Sequence, residues 1–259
     1  EPDRFDEQWI DEQQADDGAG KQPCRIALPA GGEGDRRQPG HHAGPEDRRL
    51  GAGEGHEPGD HTPGPIRDVS ALGGSCWDYL ALVPAYPALD EKVAIADFST
   101  QGGGRAGTAA AAVGRLGGSV AIFARVGDDS FGGEIRRGFE ADGVDTTWLM
   151  EVPGARSHFA FCVVDRPTGK RTIFYDHGTK GRFSEADLDR EALLNCRCLL
   201  TDSHHDEVSV AAARWAQEAG VPVVLDLERP KPCNEALLEA STYPIVPADY
   251  AMALTGAAT

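Results

Sequence analysis

The chain has 259 residues, 40% of them apolar, and a formal net charge of −17. That composition supports a core, but no apolar run reaches the roughly 18 residues of a membrane span. The acidic balance argues against a nucleic-acid binder, which would carry a basic face, and against an anionic membrane surface as a partner.

Residues 1–68 differ from the rest. They hold 12 Gly and 8 Pro, and 16 acidic against 8 basic residues. Stretches such as Gly51-Ala52-Gly53-Glu54-Gly55 have no strand or helix period. So few apolar side chains do not offset the entropy of ordering, and the segment is expected to be a disordered or non-native tail. Its charged start is not followed by the apolar stretch of a secretory leader. His41, His42, His56 and His61 match no compact set of metal ligands. The cysteines, Cys24, Cys76, Cys162, Cys196, Cys198 and Cys233, include no CxxC pair, which points to a reducing, cytoplasmic setting without a zinc site.

From Val69 the texture becomes globular. Val69–Cys76 reads as a short buried strand, Tyr79–Val83 as a further extended run, and Lys92–Thr100 as a half-exposed strand. Gln101–Gly104 reads as a tight turn opening an Ala-rich helix, Arg105–Leu116, which Gly117-Gly118 ends. Ser119–Val126 is a buried strand, and Asp128-Asp129-Ser130 offers caps for a helix to about Asp142. Val144–Val152 is extended. His158–Val164 and Arg171–Tyr175 form a hairpin, and Ser184-Glu185-Ala186-Asp187 starts a helix to about Leu194. Then strand and helix alternate: Cys198–Thr201, Glu207–Ala219, Val221–Leu227, Asn234–Ala240, Ile245–Val246, Asp249–Leu254. This rhythm implies βαβ units and an α/β fold with a mostly parallel central sheet. The hairpin and the strands near 79–100 break it, and read as a small attached antiparallel sheet.

Gly102-Gly103-Gly104-Arg105-Ala106-Gly107 fits G-x-G-x-x-G, with Asp128 about 20 residues on, so an NAD-dependent oxidoreductase is one reading. A turn kept only for its backbone geometry is another. The longer run favours a third. Gly103 to Gly118, the strand Val120 to Arg125, and Val126-Gly127-Asp128-Asp129-Ser130-Phe131-Gly132 together resemble the first signature of the PfkB/ribokinase family of carbohydrate kinases. Asp78-Tyr79-Leu80 looks like the family's sugar-binding segment. Ala219-Gly220-Val221-Pro222 leading to Asp226 looks like its Gly-x-Pro strand. The likeness covers roughly residues 70–256.

The resemblance implies a ribokinase-like three-layer α/β/α domain at 69–259, with a small antiparallel β lid near 77–100 and 157–176. It implies ATP and Mg2+ as cofactors, and transfer of the γ-phosphoryl group to a sugar hydroxyl. Asp78, Gly103, Gly104, Arg105 and Thr108 are the implied substrate residues. Thr108 stands where the family usually has Asn. Asp202, at a strand's carboxyl end, joins them on position. Asp226, Glu228 and Arg229 are candidates for the nucleotide side. His204-His205-Asp206 is read as a loop and helix cap rather than a metal site.

Two departures stand out. Ala248-Asp249-Tyr250-Ala251 occupies the place of the family's Asn-x-x-Glu, and no Gly-x-Gly-Asp occurs in 69–259. The catalytic Asp is therefore expected beyond Thr259, and the chain is expected to be an inactive N-terminal fragment. A non-catalytic sugar- or nucleoside-binding module is the alternative, and a homodimer through the lid strands is a further possibility.

Overall fold

A computed structural model describes residues 65–257. The expectations for the tail, its histidines and Cys24 lie outside the described residues.

Among the described residues ten strands and six α-helices follow one another. They are β1 (Arg67–Leu72), β2 (Cys76–Val83), β3 (Asp97–Gly103), α1 (Arg105–Arg115), β4 (Val120–Gly127), α2 (Ser130–Ala141), β5 (Leu149–Val152), β6 (Phe159–Asp165), β7 (Arg171–Asp176), α3 (Arg190–Leu194), β8 (Cys196–Asp202), α4 (Glu207–Glu218), β9 (Val223–Asp226), α5 (Asn234–Ala240), β10 (Tyr243–Ile245) and α6 (Ala248–Thr255).

Six strands form the main sheet in the order β10-β9-β8-β1-β4-β5, and every neighbouring pair is parallel. Alternation along the registered pairs divides the core. Ala71 pairs with Ile122, and both face the helices α1 and α2. Leu72 pairs with Phe123, and both face α4 and α5. Successive side chains point to opposite faces of a strand, so a sheet covered on both sides needs continuous apolar runs. Val120 to Ala124 is such a run, fully buried.

Small residues set the fit between helices. A Cβ on Gly107 would press on Phe139 of α2, and one on Gly114 would overlap the Asp142 carbonyl. The Ala/Gly texture of α1 thus reflects close packing. The Val-Gly-Asp-Asp stretch has an equally local cause. Asp129 caps α2 by accepting from the Gly132 N–H (2.9 Å), and it also accepts from the Ser157 N–H and hydroxyl. Ser157 in turn accepts from the Gly127 N–H (2.8 Å).

The second sheet, β3-β2-β6-β7, is the expected lid, with one difference. Its outer pairs are antiparallel, but its central pair, β2 with β6, is parallel. β3 also begins later than the alternation at 92–100 suggests and runs through Gly102 and Gly103, so only Gly104 forms the turn. The helix expected from Ser184 to Leu194 is split. The capping box forms, but it holds only a 3-10 turn at Glu185–Asp187. Leu188 is extended and buried, and Asp189 caps α3 afresh by accepting from Ala192 N–H.

Candidate functional site

The site lies where one face of the lid meets the carboxyl ends of β1, β8 and β9. Cross-strand register determines which residues face it. Cys76 pairs with Gly103, and Asp78 with Gln101 and Ala160. Ala160 pairs with Tyr175. Paired residues project to one side, so Cys76, Asp78, Gly103, Ala160 and Tyr175 share a face. The opposite face carries the aromatic stack of Tyr79 on Phe161 (centroids 4.8 Å).

Asp78 lies against Gly103, where any Cβ would overlap its Oδ2. The Cys76 thiol donates to Asp78 Oδ1 (3.0 Å), and burial beside that carboxylate pushes the thiol well above its usual range. Gly104 has φ +85°, and a Cβ there would strike the Gly74 carbonyl and Ser75. The two glycines bring lid, the turn after β1 and helix α1 to within backbone contact.

Asp202 is at the base. Its carboxylate accepts from the backbone N–H groups of Gly74 (3.0 Å), Ala106 (3.3 Å) and His204 (2.7 Å), and it is 1% exposed. It packs so closely on Gly73 that no Cβ fits there. The parallel register sets Asp226 beside it. Arg105, at the start of α1, reaches this acidic edge: its Nη1 is 3.2 Å from Glu228 and its Nε 3.9 Å from Asp202. Burial holds Asp226 above the usual carboxylate range, with Arg105 pulling the other way. Arg229 is exposed and 3.9 Å from Glu228. Thr108 is exposed in the first turn of α1.

Three histidines and a lysine that the motifs did not single out as a group complete the cleft. Lys180, from the loop after β7, is buried and its Nζ is 3.3 Å from His204 Nε2. The His204 ring stacks at 6.3 Å from His158, and His177 is 4.9 Å from both His158 and Tyr175. Burial, helped by the Lys180 charge, pushes His204 and His177 below the usual imidazole range and His158 down to about 4. Adjacent His205 turns the other way, onto Phe183, and accepts its N–H. The expected helix cap at this point does not form. Asp206 occupies the N-cap position at φ +45° without capping, and its carboxylate pairs with Arg182 and Lys231. Among the described residues no cluster of three His, Cys, Asp or Glu could hold a metal ion.

The description "pfkB family carbohydrate kinase" matches residues 68–258. The chain belongs to the pfkB family. An ATP-dependent ribose-1-phosphate kinase of Halopiger xanaduensis is 29% identical over 62% of this chain and 54% of its own length. A ribokinase of Haemophilus influenzae is 27% identical over 62% of this chain and 53% of its own. The chain thus spans about half the length of these curated relatives. Among solved structures, one from Agrobacterium tumefaciens, described provisionally as a ribokinase, superposes with a TM-score of 0.68 at 28% identity, covering 74% of this chain and 63% of that one. Arabidopsis thaliana ribokinase, solved with ribose and ATP, shares the fold at 20% identity, with a TM-score of 0.61 over 74% of this chain and 63% of its own.

The glycine run of this pfkB domain lacks the setting of a dinucleotide turn. Gly102 and Gly103 belong to a lid strand, not to a turn after a strand of the parallel sheet, and nothing lies within 4 Å of a Cβ on Gly102. Asp128 accepts from the Gly154 N–H (2.8 Å). The family implies ATP and Mg2+, but the described residues do not by themselves fit a triphosphate. Asp202, Asp226 and Glu228 make that edge acidic, Arg105 and Arg229 are both near carboxylates, and no Gly-x-Gly-Asp occurs among the described residues.

Proposed function

We propose that residues 65–257 form the sugar-holding part of an ATP-dependent carbohydrate kinase that phosphorylates a sugar hydroxyl. The observation that carries this reading is the Asp78 carboxylate, set on the cleft face of the lid over Gly103. A carboxylate accepts hydrogen bonds from two hydroxyls at once. With glycine beneath it, a sugar ring can approach both the carboxylate and the backbone N–H groups at the start of α1. Phosphoryl transfer is mostly positioning, so fixing the acceptor hydroxyl is the part these residues perform. Arg105 sits between Asp202 and Glu228, at the border of sugar and nucleotide sides. Thr108 offers a hydroxyl at the same helix start. Asp202 acts by position, bracing the turn after β1 against α1.

Asp226, Glu228 and Arg229 are proposed to border the nucleotide side, with the groups that hold the phosphates and the general base supplied from outside the described residues. On this reading the 259-residue polypeptide binds sugar without turning it over. The named relatives act, by their names, on ribose or ribose 1-phosphate, and a sugar hydroxyl is the chemistry they share. A second copy of the chain is the proposed partner through the lid. Support for it comes from the exposed Phe98, Phe161 and Phe174 on the lid's outer face.

Titration calorimetry with ribose and fructose tests the reading. Binding is expected, weakened about tenfold or more in Asp78→Ala, the loss of about 1.4 kcal/mol or more. Sugar binding indifferent to Asp78, or sugar-dependent ADP release by the chain alone, would overturn it.

A further inference from the structure

We infer that this cleft contains a cationic recess, built round Lys180, for an anionic substituent on the sugar. The acceptor would then be a sugar phosphate or a similarly charged sugar rather than a neutral one. The inference rests on the sugar-binding reading above and sharpens its substrate class.

Lys180 is 3% exposed, and among the described residues its polar contact is a single imidazole nitrogen. Among the described residues no carboxylate lies within ion-pair distance of it. The neighbouring cations are all provided for: Arg125 pairs with Asp187 (3.5 Å), Lys231 with Asp206 (3.3 Å), and Arg182 also with Asp206. A buried ammonium without a counter-charge costs several kcal/mol. Its charge form is accordingly disfavoured by burial, with the fields of Arg125 and Arg182 adding to this and those of Cys76 and Asp202 opposing it. An anion seated beside Nζ would supply the missing charge.

The surroundings suit such an anion. His204 touches Lys180 from the core side, and His158 and His177, whose rings lie 4.9 Å apart and within 6.3 Å of the His204 ring, feel its charge from the lid side. His158 Nδ1 is buried without a hydrogen-bond partner. Imidazole N–H groups and an ammonium are donors to phosphate oxygens. The carboxylates that act on this cluster are Asp202, whose oxygens are engaged by backbone N–H groups, and Asp176, which acts on His158 and His177 and is paired with Arg156 (3.0 Å). The recess adjoins the sugar position, because the Lys180 charge acts on Cys76, whose thiol bonds Asp78.

Calorimetry with ribose, fructose, their phosphate esters and gluconate, for wild type, Lys180→Met, Lys180→Arg and Asp78→Ala, decides the matter. Wild type is expected to bind at least one phosphate ester about tenfold tighter than its parent sugar, a preference that weakens with salt. Lys180→Met should cut that ratio to within about threefold, and Lys180→Arg should keep it. Tighter binding of gluconate than of any ester would name a carboxylate as the anion. Removing a buried, unpaired charge should hold or raise the Tm of Lys180→Met, which shows that the variant is folded. Equal affinity for sugar and ester in wild type, or an undiminished ratio in Lys180→Met, overturns the recess. If neutral sugars bind through Asp78 with no preference for esters, only the recess falls. If neither class binds, the sugar-site reading falls with it.

Discussion

The carboxylate of Asp78 occupies the space that a side chain at position 103 would need, so Asp78 and Gly103 define one surface across the β2–β3 pair. Gly103→Ala is therefore expected to displace the carboxylate and weaken sugar binding about tenfold, or about 1.4 kcal/mol. Gly102→Ala should leave binding unchanged, because its Cβ would meet open space. Calorimetry on the two variants separates this geometry from a dinucleotide turn, in which Gly102 would be the first essential glycine.

Asp202 holds three separate pieces of chain with one carboxylate. Asp202→Ala would leave the Gly74, Ala106 and His204 N–H groups without their acceptor in a buried place. We expect a loss of about 3 kcal/mol, or a Tm lower by roughly 6–12 °C in a domain of this size. Thermal denaturation by circular dichroism checks it. A Tm shift below about 2 °C would mean that water or a neighbour replaces the carboxylate.

Gly104 is strained for any other residue on two counts, its φ of +85° and the Gly74 carbonyl beside it. Gly104→Ala should cost about 2 kcal/mol or more. Denaturant midpoints would show it, and an Ala variant as stable as wild type would contradict the assigned backbone.

The lid's outer face predicts an association. Phe98, Phe161 and Phe174 are all exposed there, next to an apolar groove that also involves Ile95 and Val163. Sedimentation should find a dimer, converted to monomer by Phe161→Lys, since a charge on a packed apolar face is costly to bury. A wild-type monomer at all accessible concentrations would remove the lid as a contact surface.

The parallel sheet was legible because its strands are continuous apolar runs between helices with good caps, as at Val120–Ala124 and Asp129. Gly103 and Gly104 were legible as candidates through a motif of about 30 residues, and Asp78 through the separate segment Asp78-Tyr79-Leu80. The Lys180 recess was not. Its members come from the loop just before β6, the loop after β7 and the loop after β8, and no local spacing joins residues 158, 177, 180 and 204. Register supplies that link, by setting His158 and His177 on the Asp78 face. The helix expected at 184–194 is split for a related reason. Burial of Leu188 in an extended conformation overrides a sound capping box, and that is a tertiary effect.

The buried imidazoles also set how the protein responds to acid. His205 is pushed down to about 3 and His158 to about 4, chiefly by burial, and His177 and His204 are lowered as well. In the unfolded chain each takes up a proton near pH 6.5, whereas in the folded state each keeps its neutral form to lower pH, His158 and His205 by more than two pH units. Between pH 6.5 and about 4 the unfolded state binds more protons, so stability must fall as the pH falls through this window. His205, 1% exposed, would account for about 2 kcal/mol by pH 5. Asp129, held below the usual carboxylate range by its bonds to Ser157 and Gly132 despite burial, adds to the loss only nearer pH 4 and below. Thermal melts at pH 7.5 and pH 5 should therefore differ clearly. His205→Asn keeps an acceptor for the Phe183 N–H but has no proton to gain, so it should flatten part of the slope. An unchanged Tm between the two pH values, or a slope that His205→Asn leaves intact, would place the acid sensitivity elsewhere.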